Sequence, residues 1–530
     1  LMNARRNNDR IMSDDLHYHR PQHKQHRSED DGCAHAGTGC TSYTGRLADN
    51  LRRPTMTAGT ASSFLRSAFA VVAVLASCFF IGYIFNEYVI ESASPENAAS
   101  SVQQLKNGSS LIATLCRFPD IPLGGLEGQG VSEEEYDLVG LGVVFRHGER
   151  SPITVENVDD TEHHWTPSCA PFRSEDYKTF DAYIDTVKSI DFRKFFIIAE
   201  EHAKQDKYPQ LSTCQGGQMT AEGALMHLHL GNYFRSRYAA TRLFGEEAVG
   251  HVNVSAVASN FTRTFQSALA FSSAFLFPIR DVVKSMPIRF SNESFLCASD
   301  ACACPPALQW RYDYEAAHLA FYRAESPRPL YEKSERIFSS IPSMTNKHDP
   351  FQYLDVALGR YACRHRPLPC TSAGECVNEQ LLEDLLIEAT RRGTVMFDDK
   401  RSSRLMTAEA QAVLGDVADM LDTFKSKEDR AIRIYSGHDV TVGPILRVLG
   451  LDFVDFPPYI SRIAFEIYRK RAAGSSDLFL RLLYNGEDRT KELSFCGGAA
   501  LCPVSAFQNF ARKQLFANAG FQGVTDLCNK

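Results

Sequence analysis

The sequence has little of several features that mark other classes of protein. Its 57 lysine and arginine residues stand against 64 aspartate and glutamate residues, and the resulting net charge of -7 gives no polycationic surface for nucleic acid. It contains no Cys-x2-Cys pair of the kind that commonly holds zinc. It shows no internal repeat, and only residues 67–85 are apolar for long enough to span a membrane. Because the chain has no polycationic surface, we expect no nucleic-acid partner.

The composition is otherwise that of an ordinary globular protein. Apolar residues make up 44% and charged residues 23% of the 530 positions, as in ordinary globular proteins. A chain of this length exceeds a single compact core, so we expect one large domain or two, with appended segments.

One apolar segment indicates attachment to a membrane. Residues 67–85 (SAFAVVAVLASCFFIGYIF) form an uncharged run of 19 residues, close to the length that a bilayer core requires. A buried core helix would normally show a polar face, and a cleaved signal peptide would lie nearer the start of the chain. Arginines precede the segment and glutamates follow it, so the positive-inside rule predicts a cytosolic tail and a lumenal domain. The predicted tail, membrane anchor, polar stem and lumenal domain occupy residues 1–66, 67–86, 87–112 and 113–530.

Glycosylation sequons and cysteines follow the same division. All four Asn-x-Ser/Thr sequons lie after the apolar segment, at Asn107, Asn253, Asn260 and Asn292. Twelve of the 15 cysteines also follow it, and an even number in an oxidising compartment favours disulfides. The alternative is a zinc cluster, around Cys297, Cys302 and Cys304 or around Cys363, His365, Cys370 and Cys376.

Short apolar runs that end at charged residues predict an α/β core. Residues 137–145 (DLVGLGVVF) predict a buried strand that ends before Arg146, and residues 431–436 (AIRIYS) predict another that ends before His438 and Asp439. Charged side chains just past strand ends are typical of an open α/β sheet with its site at the carboxyl edge. Further strands are predicted at 251–259, 462–468 and 478–484, helices at 219–238 and 264–277, and an inserted, mainly helical cap at about 280–410.

Residues 146–152 (RHGERSP) contain the groups that a phosphate-transfer site needs. Two arginines four positions apart flank His147, and guanidinium groups match phosphate oxygens geometrically and stay charged at any relevant pH. A neutral His147 can act as the nucleophile, while Arg146 and Arg150 can bear the charge on the phosphoryl group. Asp439 can protonate the departing alkoxide, although an aspartate at this position is also a common helix cap.

Four motifs, in order along the chain, resemble those of the histidine acid phosphatase family. Residues 146–152 resemble its RHGxRxP motif, and His438 with Asp439 resembles its His-Asp pair. Residues 217–223 (GQMTAEG) resemble its GQLTxxG stretch, and residues 263–268 (RTFQSA) resemble the segment with its third phosphate-binding arginine. The resemblance covers about residues 112–528.

The resemblance implies a fold and a set of residue roles. The implied fold is a three-layer, phosphoglycerate mutase-like α/β core with an inserted helical cap. His147 becomes the nucleophile and Asp439 the proton donor, with no metal or other cofactor. The residues implied to bind the substrate phosphate are Arg146, Arg150, Arg263 and His438.

Segments outside the catalytic motifs resemble one Golgi branch of the family. These segments are residues 295–305, 369–377, 484–490 and 494–503. Enzymes of this branch are single-pass type II membrane proteins that remove the 2-O-phosphate of xylose in the glycosaminoglycan-protein linkage region. The resemblance implies a phosphorylated sugar or glycan substrate and a lumenal catalytic domain, and it leaves open a glycosyltransferase partner.

Two other functions stay open at this point. One is a broad-specificity lysosomal or secretory acid phosphatase, or an inositol polyphosphate phosphatase; the His-Asp pair counts against the latter, whose branch has His-Ala-Glu. The other is a non-catalytic, membrane-tethered glycoprotein that regulates glycosyltransferases. The intact His147, three arginines and Asp439 count against that alternative.

Overall fold

The computed structural model describes most of the chain after residue 124. The described ranges are 125–153, 169–171, 173–212, 214–245, 248–291, 304–324, 327–339, 350–364, 367–397, 400–451, 457–472 and 477–529. None of the helices in these ranges is long and apolar enough to cross a bilayer. The predicted tail, anchor and stem lie outside the described residues, so their assignment stays a prediction.

A mixed β-sheet forms the centre of the described region. Its strands are β1 (Tyr136–Arg146), β2 (Phe196–Ile198), β3 (Val252–Ala258), β4 (Met286–Phe290), β5 (Arg430–Gly437), β6 (Arg462–Lys470), β7 (Leu478–Tyr484), β8 (Glu487–Asp488) and β9 (Cys502–Pro503). The strand order is β2-β4-β3-β5-β1-β6-β7-β8, and β9 pairs with β7. The first five strands of this order run parallel, whereas β6 and β7 are antiparallel to their neighbours.

Helices cover both faces of the sheet and form the inserted cap. The helices before β4 are α1 (Ser174–Lys188), α2 (Ile190–Phe195), α3 (Glu200–Ala203), α4 (Ala221–Tyr238) and α5 (Thr262–Phe275). Those between β4 and β5 are α6 (Pro305–Tyr322), α7 (Arg328–Phe338), α8 (Pro350–Val356), α9 (Glu379–Phe397) and α10 (Lys400–Asp422). Those that follow are α11 (Asp439–Val448), α12 (Val504–Asn509), α13 (Leu515–Asn518) and α14 (Val524–Asn529).

The apolar run of β1 explains its central position. Every residue of the strand from Leu138 onward is buried, because neighbouring strands pair with both its edges and helices cover both its faces. One core packs α1, α4 and α5 against the sheet, and a second core packs α10, α11 and α12 against the opposite face. The predicted α/β core with helices on both faces is therefore confirmed.

The region predicted to form the cap contains one strand of the central sheet. β4 pairs with both β2 and β3, so residues 286–290 belong to the core and the inserted helices follow them. The sequence pattern did not indicate this strand, because only two of its five residues are fully buried. Helices α7, α8 and α9 share a separate apolar cluster, which gives the cap a small core of its own.

Disulfides connect cysteines across the described region. The pairs are Cys169–Cys214, Cys304–Cys528, Cys370–Cys376 and Cys496–Cys502. The expectation of disulfides is confirmed for these cysteines. Because the sulfur atoms of Cys304, Cys370 and Cys376 are paired in this way, neither alternative zinc cluster can form as proposed.

Two helical glycines provide a test of the packing between α4 and α5. A Cβ at Gly231 of α4 would lie 2.3 Å from the carbonyl oxygen of Phe271, whereas a Cβ at Gly415 of α10 meets no atom within 4 Å. We expect Gly231→Ala to lower the free energy of unfolding by about 1–3 kcal/mol. Gly415→Ala should raise it by about 0.5–1 kcal/mol, because alanine favours helix. Chemical denaturation of both variants measures the difference, and equal stability of the two would contradict this packing.

Candidate active site

Three parallel strands end together at one edge of the sheet. Arg146, the last residue of β1, pairs with Gly437, the last residue of β5. Ala258, the last residue of β3, pairs with Ser436 of β5. Since parallel strands place their carboxyl ends at the same edge, the residues that follow them lie side by side. The structure thus brings the predicted site residues to this edge.

Arg146 is fixed from three sides within the buried edge. One guanidinium nitrogen, Nη1, donates to the carbonyl oxygen of Pro457, and Nη2 lies 3.2 Å from Oδ2 of Asp439. The guanidinium carbon lies 4.5 Å from the ring centroid of Tyr459, as in a cation–π contact. These contacts hold a permanent positive charge at a defined place in the site.

The ring orientation of His147 leaves one nitrogen free for chemistry. Its Nδ1 lies 2.7 Å from the carbonyl oxygen of Gly148. A carbonyl oxygen can only accept a hydrogen bond, so Nδ1 carries the proton in this arrangement and Nε2 keeps its lone pair. The backbone nitrogen of His147 donates to Gly437 of β5 at 2.9 Å, which fixes the residue at the strand end.

The surroundings of His147 keep the imidazole neutral. Burial lowers the pKa of His147 well below its ordinary value, and the positive charges of Arg263 and Arg146 lower the pKa further. His438 and Arg150 act in the same direction. A neutral imidazole is the form that can attack phosphorus, so the arginines that could bind a phosphate also maintain the nucleophile.

Gly148 lies where the first motif packs against the GQMTAEG motif. A Cβ at Gly148 would lie 2.2 Å from the carbonyl oxygen of Gly223, and a Cβ at Gly223 would lie 2.2 Å from that of Glu149. The hydroxyl of Thr220 donates to the carboxylate of Glu149, and its backbone nitrogen donates to the carbonyl oxygen of Glu149 at 3.0 Å. The second motif therefore supports the first at backbone contact distance.

Arg150 is paired with a residue that the sequence motifs did not indicate. Its Nη1 lies 2.8 Å from Oδ1 of Asp355 in α8, and it also donates to the carbonyl oxygen of Ser151 at 3.0 Å. Although burial opposes it, the charge of Asp355 raises the pKa of Arg150. Asp355 belongs to the cap, so one phosphate-binding candidate of the core depends on a residue of the insertion.

His438 and Arg263 adjoin the same aromatic ring. His438 Nε2 lies 2.8 Å from the hydroxyl oxygen of Ser259, and the backbone nitrogen of His438 donates to the hydroxyl of Thr441 at 3.0 Å. The ring of Phe261 meets His438 edge to face, with centroids 4.9 Å apart, and lies 4.4 Å from the guanidinium carbon of Arg263. Burial, and then the charge of Arg263, lowers the pKa of His438 well below its ordinary value.

Asp439 begins helix α11 and remains in contact with solvent. Its Oδ1 accepts a hydrogen bond from the backbone nitrogen of Val440 at 2.9 Å, and its side chain is 29% exposed. Burial raises the pKa of Asp439, but the charges of Arg146 and Arg150 outweigh burial and place the pKa below its ordinary value. In the free site this carboxyl group is therefore ionised at neutral pH.

The segment before β6 forms another side of the site. Tyr459 is buried against Arg146, and the next residue, Ile460, has a φ angle of 57°. A β-branched residue in the left-handed region is strained, and such strain persists only where the surrounding structure enforces it. The predictions did not include this segment, and the Pro-Pro-Tyr sequence alone carried no signal for a site.

Comparisons with known proteins agree with this geometry. Residues 137–346 match the model of the histidine phosphatase superfamily, branch 2. The chain is similar to this superfamily over the matched residues, and it is a phosphatase.

The names of two curated relatives specify a substrate, which the name of the superfamily does not. The "2-phosphoxylose phosphatase 1" of Danio rerio is 25% identical over 456 residues, which covers 78% of this chain and 86% of that protein. The protein of the same name from Homo sapiens is 24% identical over 433 residues, which covers 78% of this chain and 85% of that protein. Among solved structures, a phytase from D. castellii is 15% identical, with a TM-score of 0.42 and coverage of 77% of this chain and 85% of that one.

The lowered pKa values of His147 and His438 predict how phosphatase activity depends on pH. A lowered pKa means that the imidazole takes up its proton at a lower pH than free histidine does, so the neutral form persists as the pH falls through about 6.5. Because kcat/KM reports ionisations of the free enzyme, we expect these histidines to cause no loss of kcat/KM between about pH 7 and pH 5. Steady-state kinetics across this range measure it, and a loss of activity with a midpoint near 6.5 would show that an ordinary histidine controls the reaction.

Proposed function

We propose that this phosphatase hydrolyses phosphate monoesters through a covalent phosphohistidine on His147. The observation that carries the proposal is the orientation of that ring: Nδ1 is bound to the carbonyl oxygen of Gly148, and the buried imidazole faces the charges of three arginines. Arg146, Arg150 and Arg263 bind the phosphoryl oxygens, and His438 completes their set of donors. This arrangement supports in-line attack by Nε2 with compensation of the negative charge.

In the first step, the Nε2 lone pair forms a bond to phosphorus as the ester P–O bond breaks. The electron pair of that bond stays on the departing oxygen, which takes a proton from Asp439. In the second step, the Asp439 carboxylate removes a proton from water, whose oxygen attacks phosphorus and breaks the P–N bond. Inorganic phosphate leaves, and both His147 and Asp439 return to their starting forms.

The proton on Asp439 is supplied by the coupling between this residue and the substrate. In the free site, Arg146 and Arg150 lower the pKa of Asp439. A phosphate dianion bound to the same arginines offsets their positive charge and adds a negative one, so substrate binding raises the pKa of Asp439. Asp439 is thereby protonated when the substrate binds, next to the leaving group that needs the proton.

We propose the 2-O-phosphate of xylose in the glycosaminoglycan-protein linkage region as the natural substrate. The names of the two relatives and the similarity over 78% of this chain support this choice. Such a substrate belongs to the Golgi lumen, and the predicted type II anchor at residues 67–86 fits that location. In this location, a glycosyltransferase of glycosaminoglycan synthesis would be available as a partner.

Trapping of the intermediate tests the role of His147. Incubation with a labelled phosphoryl substrate and rapid quenching should give an acid-labile, base-stable phosphoenzyme, which is absent in His147→Ala. Asp439→Asn is the matched control: with p-nitrophenyl phosphate it should still be labelled, and more heavily, because this leaving group needs no proton while hydrolysis needs the carboxylate. Labelling that survives in His147→Ala would exclude this nucleophile.

The substrate is tested by direct comparison of phosphate esters. The lumenal region, purified without the predicted anchor, should show a higher kcat/KM for a linkage oligosaccharide with 2-phosphoxylose than for glucose phosphates or phytate, by about tenfold or more. Release of phosphate measures each rate. A kcat/KM that is equal for all of these esters would instead support a broad acid phosphatase.

A further inference from the structure

We infer that Asp355 of the cap is a positioning residue, which orients Arg150 for phosphate and so makes the phosphate site depend on the seating of the cap. This inference rests on the proposed role of Arg150 in phosphate binding. It concerns a residue outside the four motifs, separated from Arg150 by about two hundred positions in the chain.

Both carboxylate oxygens of Asp355 contact the loop that follows β1 (residues 147–153). Oδ1 lies 2.8 Å from Nη1 of Arg150, and Oδ2 accepts a hydrogen bond from the backbone nitrogen of Ile153 at 2.9 Å. The side chains of the ion pair are 7% and 11% exposed, so little solvent competes for either partner. The two bonds fix both the guanidinium group and the backbone that carries it.

One further donor of Arg150, its Nε, is left for a ligand. Nη1 carries two hydrogens, and Asp355 and the carbonyl oxygen of Ser151 account for both. Nε is buried and has no hydrogen-bond partner among the described residues. A buried N–H group without a partner is unfavourable, and a phosphate oxygen supplies the acceptor. Asp355 therefore selects which edge of the guanidinium group meets the substrate.

The apolar core of the cap holds Asp355 in place. Its neighbours Leu354 and Val356 are 1% and 0% exposed and belong to the separate apolar cluster of the cap. One helical turn later, a Cβ added at Gly359 would lie 3.4 Å from Cγ of Pro152, so the backbone of the cap passes close to the loop at this point. The core of the cap thus fixes the position of Arg150 through Asp355. A displacement of the cap would therefore displace a residue that binds phosphate.

Substitutions of Asp355 test the inference with p-nitrophenyl phosphate as substrate and inorganic phosphate as competitive inhibitor. We expect Asp355→Ala to lower kcat/KM and to raise the inhibition constant of phosphate, each by about tenfold or more. Asp355→Glu should recover part of the loss because it keeps the charge. Glu375→Gln is the control, since it removes another carboxylate–arginine pair of the cap, Arg336–Glu375, which lies on the surface. This control should keep the wild-type constants.

A double-mutant cycle separates positioning from general stability. If Asp355 acts through Arg150, then Asp355→Ala should change kcat/KM by less than about twofold in an Arg150→Ala background. Asp355→Asn, which keeps a hydrogen-bond acceptor for Ile153, provides the same comparison should the alanine variant unfold at the assay temperature. Thermal unfolding of each variant confirms that folded proteins are compared.

Each outcome decides between the possible roles. An unchanged kcat/KM in Asp355→Ala, or an equal loss with and without Arg150, overturns the inference. Tighter phosphate binding in Asp355→Asn also overturns it, because loss of a negative charge alone would have that effect. A phosphate inhibition constant that is unchanged in Arg150→Ala would remove the proposed role of Arg150, and the inference with it, whereas the xylose substrate is not involved in any of these measurements.

Discussion

The mutual repulsion of three buried arginines is the constraint on which the rest of the site depends. Arg146, Arg150 and Arg263 all act on the same imidazole, and each is at least nine-tenths buried. Like charges in a region of low dielectric repel one another strongly unless fixed groups oppose them. The structure meets this requirement with aromatic faces at Arg146 and Arg263, and with carboxylates at Arg146 and Arg150.

The compensation is arranged so that substrate can change it. Asp439 is both the partner of Arg146 and the proposed acid, and it is the more exposed of the two carboxylates. Asp355 is the more buried one, and it also holds a backbone group of the loop. A phosphate dianion bound to the same arginines can therefore raise the pKa of Asp439, which then takes up a proton from solvent, while Asp355 holds Arg150 in place. In this proposal, two carboxylates near the same arginines have different roles because their surroundings differ.

The parts of this arrangement that the sequence predicted are those set by local pattern. The strand predicted at 478–484 has those bounds in the structure, and the helix predicted at 219–238 spans Ala221–Tyr238 with Thr220 as its N-cap. Such elements are legible because buried strands are continuously apolar and helix starts need a side-chain acceptor. The gathering of Arg146, His147, Arg263, His438 and Asp439 at one edge also follows from strand ends and family motifs. Their chemical roles remain predictions.

What the sequence did not reveal depends on contacts between distant segments. Asp355 meets Ile153 across 202 positions, and no periodicity or motif connects them. Tyr459 lies against Arg146 only because the chain before β6 returns to the end of β1, where the backbone nitrogen of Arg146 donates to Ser461. Strand β4 was missed for a different reason, since a half-exposed strand lacks the apolar run that identified its neighbours. Tertiary contact decided each of these features, and local propensity did not.

The contact between Gly148 and Gly223 has a consequence for the evolutionary history of the site. Neither position can carry a side chain, because a Cβ on either glycine would lie 2.2 Å from a backbone oxygen of the opposite segment. A backbone oxygen cannot be removed by a second substitution, so no change at one position compensates for a change at the other. Neither position offers a neutral first step. The packing therefore requires glycine at both positions, whatever other residues of the loop after β1 and of helix α4 change.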